Sequence, residues 1–509
     1  MAHWVHQLIE AAPDTAPATM DDDSGCHNYG DLRRLTGELA QALGAHGVRA
    51  GDRVMLVCEN CTSYVAAVMA ASQLSAWILP VNARHTASEL TALREHSGAR
   101  CMVFTAHASC DAAAHATTFA ADTTLPLDSG DLRVTPVFDT HAESVEDDPT
   151  QRVAAMLYTT GTTSAPKGVM LTHANLCWNA GISARLRHLT SDDQVLAVLP
   201  GSHIFGFCST MFAAFHIGAS LRFVPRFSPE KVLGALADGA SAMPAVPQMY
   251  ERILTHLHQT QTQLKAPRLH YISAGGAPLD PDLKERTEAI FGLPLNNGYG
   301  ITECSPTIAA TRPEDPRNDV SVGPALWDVT VTVDTADGDG IGELIVESPG
   351  VMKGYYQDPK ASAAALPQPG TFRTGDLGRV ESDGTIYIEG RVKELIIRSG
   401  FNVYPPEVEA MLTRHPQVLQ AAVVPNRVGS NEEILAFVMV RDSLSESELA
   451  TWLRPQLVAY KQPQHIFIVD SFPAAPTGKV LKHKLVTHFA GLLAARKADP
   501  TLTQKDPTA

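Results

Sequence analysis

The stretch YTTGTTSAPKG, residues 158–168, follows the apolar run Val153 to Leu157 and reads as a buried strand delivering a loop of hydroxyls and glycine. Thr159, Thr160, Thr162 and Thr163 offer hydroxyl donors, Gly161 lets backbone amides approach an anion, and Lys167 adds a mobile positive charge. Such a loop suits phosphate. It is not the GxxxxGK[ST] loop, because five residues separate Gly161 from Lys167 and a glycine follows the lysine. P-loop kinases are disfavoured.

Outward from this loop, the pattern alternates helix and strand. Leu32, Leu35, Leu39, Ala42 and Leu43 fall at helical spacing, and GVRAGDRVMLV (47–57) then supplies a turn and a β-branched run. ASELTALREHSGARCMVFT (87–105) repeats the plan, with an amphipathic segment ending at Gly98 before an apolar strand. Layered α/β subdomains with parallel sheets are expected. Residues 105–150, rich in Ala, Thr and Asp, read as a surface excursion without chemistry.

After about residue 330 the pattern turns to short strands, in VTVTVDTADGDGIGELIVES (329–348) and RVESDGTIYIEGR (379–391), where Asp383-Gly384 signals a hairpin. The expected architecture is α/β. A large N-terminal domain, 1–392, would hold layered α/β subdomains plus this β-rich subdomain; a small mobile α+β C-terminal domain, 393–509, would follow.

The chain has 509 residues, too many for one core, since single cores stop growing at roughly 250–300 residues. With a formal charge of −15 it is a poor general binder of nucleic acid, which needs Lys and Arg against phosphates. The eight cysteines form no disulfide or zinc framework; Cys58 and Cys61 lack a second pair. MAHWVHQLIEAAPD has neither a basic stretch before an apolar run nor a small-residue cleavage site, and Tyr64–Val81 and His203–Leu221 are interrupted by polar residues or Pro. A cytoplasmic protein without a transmembrane segment is expected. No coiled-coil pattern is readable, so a homodimer stays open.

Further phrases carry chemistry. MLTHANL (170–176), SAGGAPL (273–279), NNGYGITE (296–303), FRTGDLG (372–378), IEGRVKELI (388–396) and FPAAPTGKVLK (472–482) follow the phosphate loop in order. Together they resemble the adenylate-forming superfamily of acyl-CoA synthetases, aryl-CoA ligases, adenylation domains and luciferases, most closely its acyl- or aryl-CoA ligases. Ser164 stands where that family usually carries glycine.

The resemblance implies ATP, Mg²⁺ and CoA as cofactor and co-substrates. Thr159 to Ser164 and Lys167 would hold phosphate; Gly275, Gly276 and Ala277, with Asn297, Gly298, Tyr299, Gly300 and Thr302, would line the nucleotide site. In that likeness Tyr299 stacks on adenine, Thr302 contacts phosphate and Glu303 ligates Mg²⁺, consistent with a hard cation's preference for oxygen. Asp376 and Arg391 would reach the ribose, Lys393 would be the hinge, Gly400 would line the pantetheine tunnel, and Lys479 would bridge substrate carboxylate and α-phosphate. Glu394 stands where Asp is commoner.

LPGSHIFGF (199–207) places His203 at the family's acid-facing position. Ile204, Phe205 and Phe207, with Ala274, Gly275, Ile301 and Pro306, suggest an apolar slot. No Asp or Glu occurs between Asp193 and Glu230, so no carboxylate is available there for an amino-acid ammonium. The expected reaction is ATP-dependent ligation of an apolar aryl or fatty acid to CoA through acyl-AMP, with Lys479, Glu303, His203 and Lys167 as catalytic candidates. The alternatives are a stand-alone enzyme loading a carrier protein and a luciferase-like oxygenase.

Overall fold

The helix Tyr29–Ala45 starts at a reciprocal cap. Asn28 accepts from the Asp31 N–H at 2.8 Å and Asp31 accepts from the Asn28 N–H in return, while Leu32, Leu35, Leu39 and Leu43 bury one face. The helix Ala87–Ser97 has the same reciprocal cap at Thr86 and Glu89, and it ends at Gly98 with φ 58°, a left-handed position that glycine fills without a Cβ clash. These caps belong to a computed structural model that describes residues 3–22, 24–159, 167–335, 340–398, 401–428, 431–441, 443–474 and 480–498.

The described chain is mixed α/β and divides into two compact units. The first comprises 1–332, 345–374 and 381–386; the second comprises 333–344, 375–380 and 387–509. Within the first, one sheet runs in the order Thr307–Ala310, Leu295–Gly300, Tyr271–Gly275, Ala242–Ala245, Gln194–Ala197, Ser220–Phe223, Pro17–Asp21, Gly25–Asn28. Its interior pairs are parallel, and only the two edge strands run antiparallel. Apolar runs such as Ala242–Ala245 are buried throughout, as parallel strands covered on both faces must be.

The second large sheet has the order Gly354–Tyr355, Lys167–Thr172, Val153–Thr159, Trp77–Asn82, Arg53–Cys58, Cys101–Phe104, Leu132–Val134, Thr123–Leu125. Its last two strands correct the reading of 105–150. That segment contains the helix Cys110–Thr118, capped by Ser109, and a hairpin that prolongs the sheet beside Cys101–Phe104. A run of alanines hid a helix whose inner face, Ala112 and Ala116, is small enough to pack directly on Phe104 and its neighbours.

A four-stranded sheet orders Thr330–Asp334, Gly342–Glu347, Thr371–Val380 and Ile386–Arg391, with Gly384 at φ 85° in the expected Asp383-Gly384 turn. In the second unit, Val418–Val428, Asn431–Val440 and His465–Ile468 form a sheet covered on both faces. Ile434, Ala436 and Val438 face one core and Leu435 and Phe437 the other, the two-residue alternation of a pleated strand. The last described element is the helix Ala490–Ala498. All eight cysteines are free, and no described helix is long and apolar enough to cross a membrane.

The N-terminal turn Val5–Ile9 docks through one buried imidazole. The Val5 N–H donates to His173 Nδ1 at 3.2 Å, and Trp4 packs edge-on against the ring at 4.9 Å. Burial, reinforced by the charges of His6 and Arg152, lowers the His173 pKa to about 3. A histidine kept neutral when folded contributes stability that is complete above its unfolded pKa, near 6.5, and is lost as pH falls below that value. Urea unfolding at pH 7 and pH 5 should therefore show the wild type losing about 2 kcal/mol more than His173→Gln; equal losses would mean that His173 is not the titrating group.

Candidate active site

The site residues of the first unit gather at the carboxyl ends of parallel strands, where α/β sheets hold ligands. Tyr271–Gly275 delivers Ala274 and Gly275, then Gly276 and Ala277; the adjacent Leu295–Gly300 delivers Asn297, Gly298, Tyr299 and Gly300. Ile301, Thr302 and Glu303 follow at once, the last two in the helical turn Thr302–Cys304. Tyr299 is half-buried opposite Ala309, and Thr302 is buried. Asn297 directs its amide N–H groups to the carbonyls of Val320 and Ser321, at 2.8 and 3.1 Å, so its side chain holds the 320–321 backbone beside the site.

Close backbone approach explains two glycines. At Gly300 a Cβ would lie 2.5 Å from the Pro306 carbonyl oxygen, and the same oxygen accepts the Ile301 N–H at 3.1 Å. At Gly275 a Cβ would lie 3.1 Å from Cε1 of Phe205, which places that aromatic edge against the strand end.

Phe205 opens a π-helix, Phe205–Phe212, that the sequence did not announce. Wide turns of this kind often mark functional sites. The buried Arg187 guanidinium braces this one, donating to the Ser209 carbonyl and, at 2.7 Å, to its hydroxyl. His203 is exposed just before the π-helix, and its Nδ1 accepts the Phe205 N–H at 3.3 Å. Ile204 and Phe207 are buried, Phe207 against Phe212 at 4.7 Å, so Phe205 is the loop aromatic that borders Gly275. The loop ahead of His203 is clamped from below: Asn60 bonds Ala197 O, Leu199 O and Gly201 N, and Tyr64 donates to Gly201 O at 2.8 Å.

Thr159 and Lys167 face each other in antiparallel register, at the facing ends of the strands Val153–Thr159 and Lys167–Thr172. The expected loop residues Thr160, Gly161, Thr162, Thr163 and Ser164, together with Gly400 and Lys479, lie outside the described residues. Lys167 Nζ sits 4.5 Å from the centre of the Tyr355 ring, and the Tyr355 hydroxyl donates to Glu303 Oε1 at 2.9 Å. Burial first, then the Glu303 charge, pushes the Tyr355 hydroxyl up, keeping it a donor at any physiological pH. Tyr355 and Asn60 were missed in the sequence because each acts on residues far along the chain, and neither carries a local motif.

A hard divalent cation fits Glu303. Its carboxylate is an oxygen donor steadied by a hydroxyl, and no cluster of three His, Cys, Asp or Glu ligands occurs among the described residues. Mg²⁺ commonly takes one or two carboxylates and fills its shell with phosphate and water. In the second unit, Arg391 Nε lies 3.0 Å from Oδ1 of the buried Asp376, so those two expected ribose residues are brought together. Lys393, the expected hinge, is exposed in the turn Val392–Glu394.

A family model described as AMP-binding enzyme matches residues 6–356, and its companion, AMP-binding enzyme C-terminal domain, matches 407–479. The chain belongs to the AMP-binding enzyme family. Among curated relatives of this AMP-binding enzyme is the 4-coumarate–CoA ligase of Pinus taeda, 30% identical over 500 residues, covering 91% of this chain and 90% of the relative. The feruloyl-CoA synthase of an Amycolatopsis species is 32% identical over 477 residues, covering 91% and 94%. ATP-bound MatB from Rhodopseudomonas palustris superposes with a TM-score of 0.82 at 28% identity over 97% of this chain and all of MatB. The o-succinylbenzoate CoA synthetase of Bacillus subtilis with its acyl-adenylate intermediate gives 0.81 at 27% identity over 95% and 98%. The protein is thus an AMP-forming acid–thiol ligase of the class that uses ATP, Mg²⁺ and CoA.

Replacing Gly300 with Ala should cost about 1–3 kcal/mol, because the obstacle is the fixed Pro306 carbonyl rather than a pliable side chain. A thermal melt reads the loss; an unchanged melting temperature would contradict the tight turn.

Proposed function

We propose that this enzyme activates an apolar aromatic carboxylic acid, of the hydroxycinnamate kind, as its acyl-adenylate and transfers the acyl group to CoA. The observation that carries this reading is the Phe205 edge against Gly275, in a segment that offers His203 and no carboxylate. An aryl ring finds an aromatic partner there, whereas an ammonium group finds no counter-charge. The 4-coumarate and feruloyl relatives support the same choice.

The first step joins two anions, so positioning and charge neutralisation must supply the catalysis. Lys167 and the Thr159–Ser164 loop bind phosphate, Tyr299 stacks on adenine, and Asp376 with Arg391 holds the ribose. Glu303 would hold Mg²⁺, which when bound would offset phosphate charge. Lys479 bridges the carboxylate and the α-phosphate, and His203 orients the acid. After pyrophosphate leaves, rotation of backbone at Lys393 exchanges Lys479 for the Gly400 segment, which admits the thiol. The free cysteines fit the cytoplasmic address expected from the sequence.

Replacing Lys479 with Ala should lower adenylate formation by about 10²–10³-fold and spare thiol transfer to pre-made acyl-AMP. Equal loss of both steps would refute this division. For the substrate, a panel of aromatic, short, medium and long acids, oxalate and amino acids, assayed for pyrophosphate release with CoA or a pantetheinylated carrier, should favour hydroxycinnamates and CoA. Preference for oxalate, a long chain or the carrier would overturn the corresponding part.

A further inference from the structure

Segment 350–356 is stitched to both halves of the phosphate site. The Met352 N–H donates to Glu303 O at 2.8 Å; the Lys353 N–H donates to Met170 O at 2.9 Å and the Tyr356 N–H to Gly168 O at 2.8 Å. Ser305 adds a hydroxyl bond to Gly350 O at 2.8 Å. Tyr355, paired with Val169 in the strand register, is 7% exposed, and its own N–H is held by Ser362 Oγ at 2.9 Å. Its ring is therefore fixed from several directions, with the hydroxyl on Glu303 and one face toward the Lys167 ammonium.

We propose that Tyr355 is a positioning residue for nucleotide-bound metal: its hydroxyl fixes the plane of the Glu303 carboxylate while its ring face holds the Lys167 ammonium beside it. The proposal rests on the reading of Glu303 as a Mg²⁺ ligand. A carboxylate that must meet a small, geometrically demanding cation gains from having one oxygen anchored in advance, because Mg²⁺ tolerates little departure from octahedral geometry. Lysine placed over an aromatic face is likewise held without losing its charge. One side chain thus sets the spacing between a cationic and an anionic partner of the same polyphosphate.

The test measures binding rather than turnover. Calorimetry gives the affinity of the whole enzyme for α,β-methylene-ATP with EDTA and with Mn²⁺, and the ratio of the two affinities isolates the contribution of the metal. Tyr355→Phe keeps the ring and removes the hydroxyl; it should leave the metal-free affinity unchanged and shrink the ratio by about tenfold, the lower end of what loss of an outer-shell partner costs. Glu303→Gln, the control, should abolish the ratio. If Glu303→Gln abolishes it and Tyr355→Phe leaves it intact, the positioning role falls and the metal reading stands. If Glu303→Gln leaves it intact, the metal reading falls and the proposal with it. Equal losses with and without metal in Tyr355→Phe, accompanied by a lower melting temperature, would reduce Tyr355 to a packing role and overturn the proposal.

Discussion

The backbone hydrogen bond from Met352 N–H to Glu303 O is the seam on which the site depends, because it joins the ends of the two large sheets. Glu303 follows the strand Leu295–Gly300 of one sheet; Met352 precedes Gly354–Tyr355, the edge strand of the other, which lies beside Lys167–Thr172. Without the seam, Lys167 and Glu303 would belong to separate layers. With it, a lysine and a carboxylate 136 positions apart in the sequence share Tyr355 as a common neighbour. The tight turn at Gly300, closed by the Ile301 N–H to Pro306 O bond, fixes where Glu303 emerges.

That arrangement answers the chemical difficulty of the reaction. A chain with formal charge −15 must collect a triphosphate and a carboxylate, so attraction has to come from local features and not from the overall field. Lys167 at the start of its strand and a glutamate braced by the Tyr355 hydroxyl are local in that sense. The segment around His203 is built differently. There a π-helix braced by Arg187 and a loop clamped by Asn60 and Tyr64 hold Phe205 and His203, so shape is maintained by buried polar groups while the surface offered is aromatic.

Much of the fold was legible because its signals are local. The helical spacing of Leu32, Leu35, Leu39 and Leu43, the Gly98 terminus and the Asp383-Gly384 turn depend on neighbours within a few residues. The helix Cys110–Thr118 was also written locally, in its Ser109 cap, but alanines masked its apolar face. The π-helix was not legible, since its ridge of aromatics and small residues suits an α-helix equally well and the bracing guanidinium is 22 residues away. For the site, glycine-rich phrases revealed which segments converge. They did not reveal Tyr355, whose bond to Glu303 spans 52 residues, or that the Phe205 edge lies against Gly275 at the strand end.

The central claim is that the acid passes through a mixed anhydride with AMP. An acid carrying oxygen-18 in both carboxyl positions, turned over with ATP and CoA, tests it by mass spectrometry of the products. The account predicts that one labelled oxygen appears in AMP, because the carboxylate oxygen that attacks the α-phosphate leaves with it when the thiol takes the acyl carbon. Label appearing in orthophosphate or pyrophosphate, with none in AMP, would place the attack elsewhere on the triphosphate and contradict it.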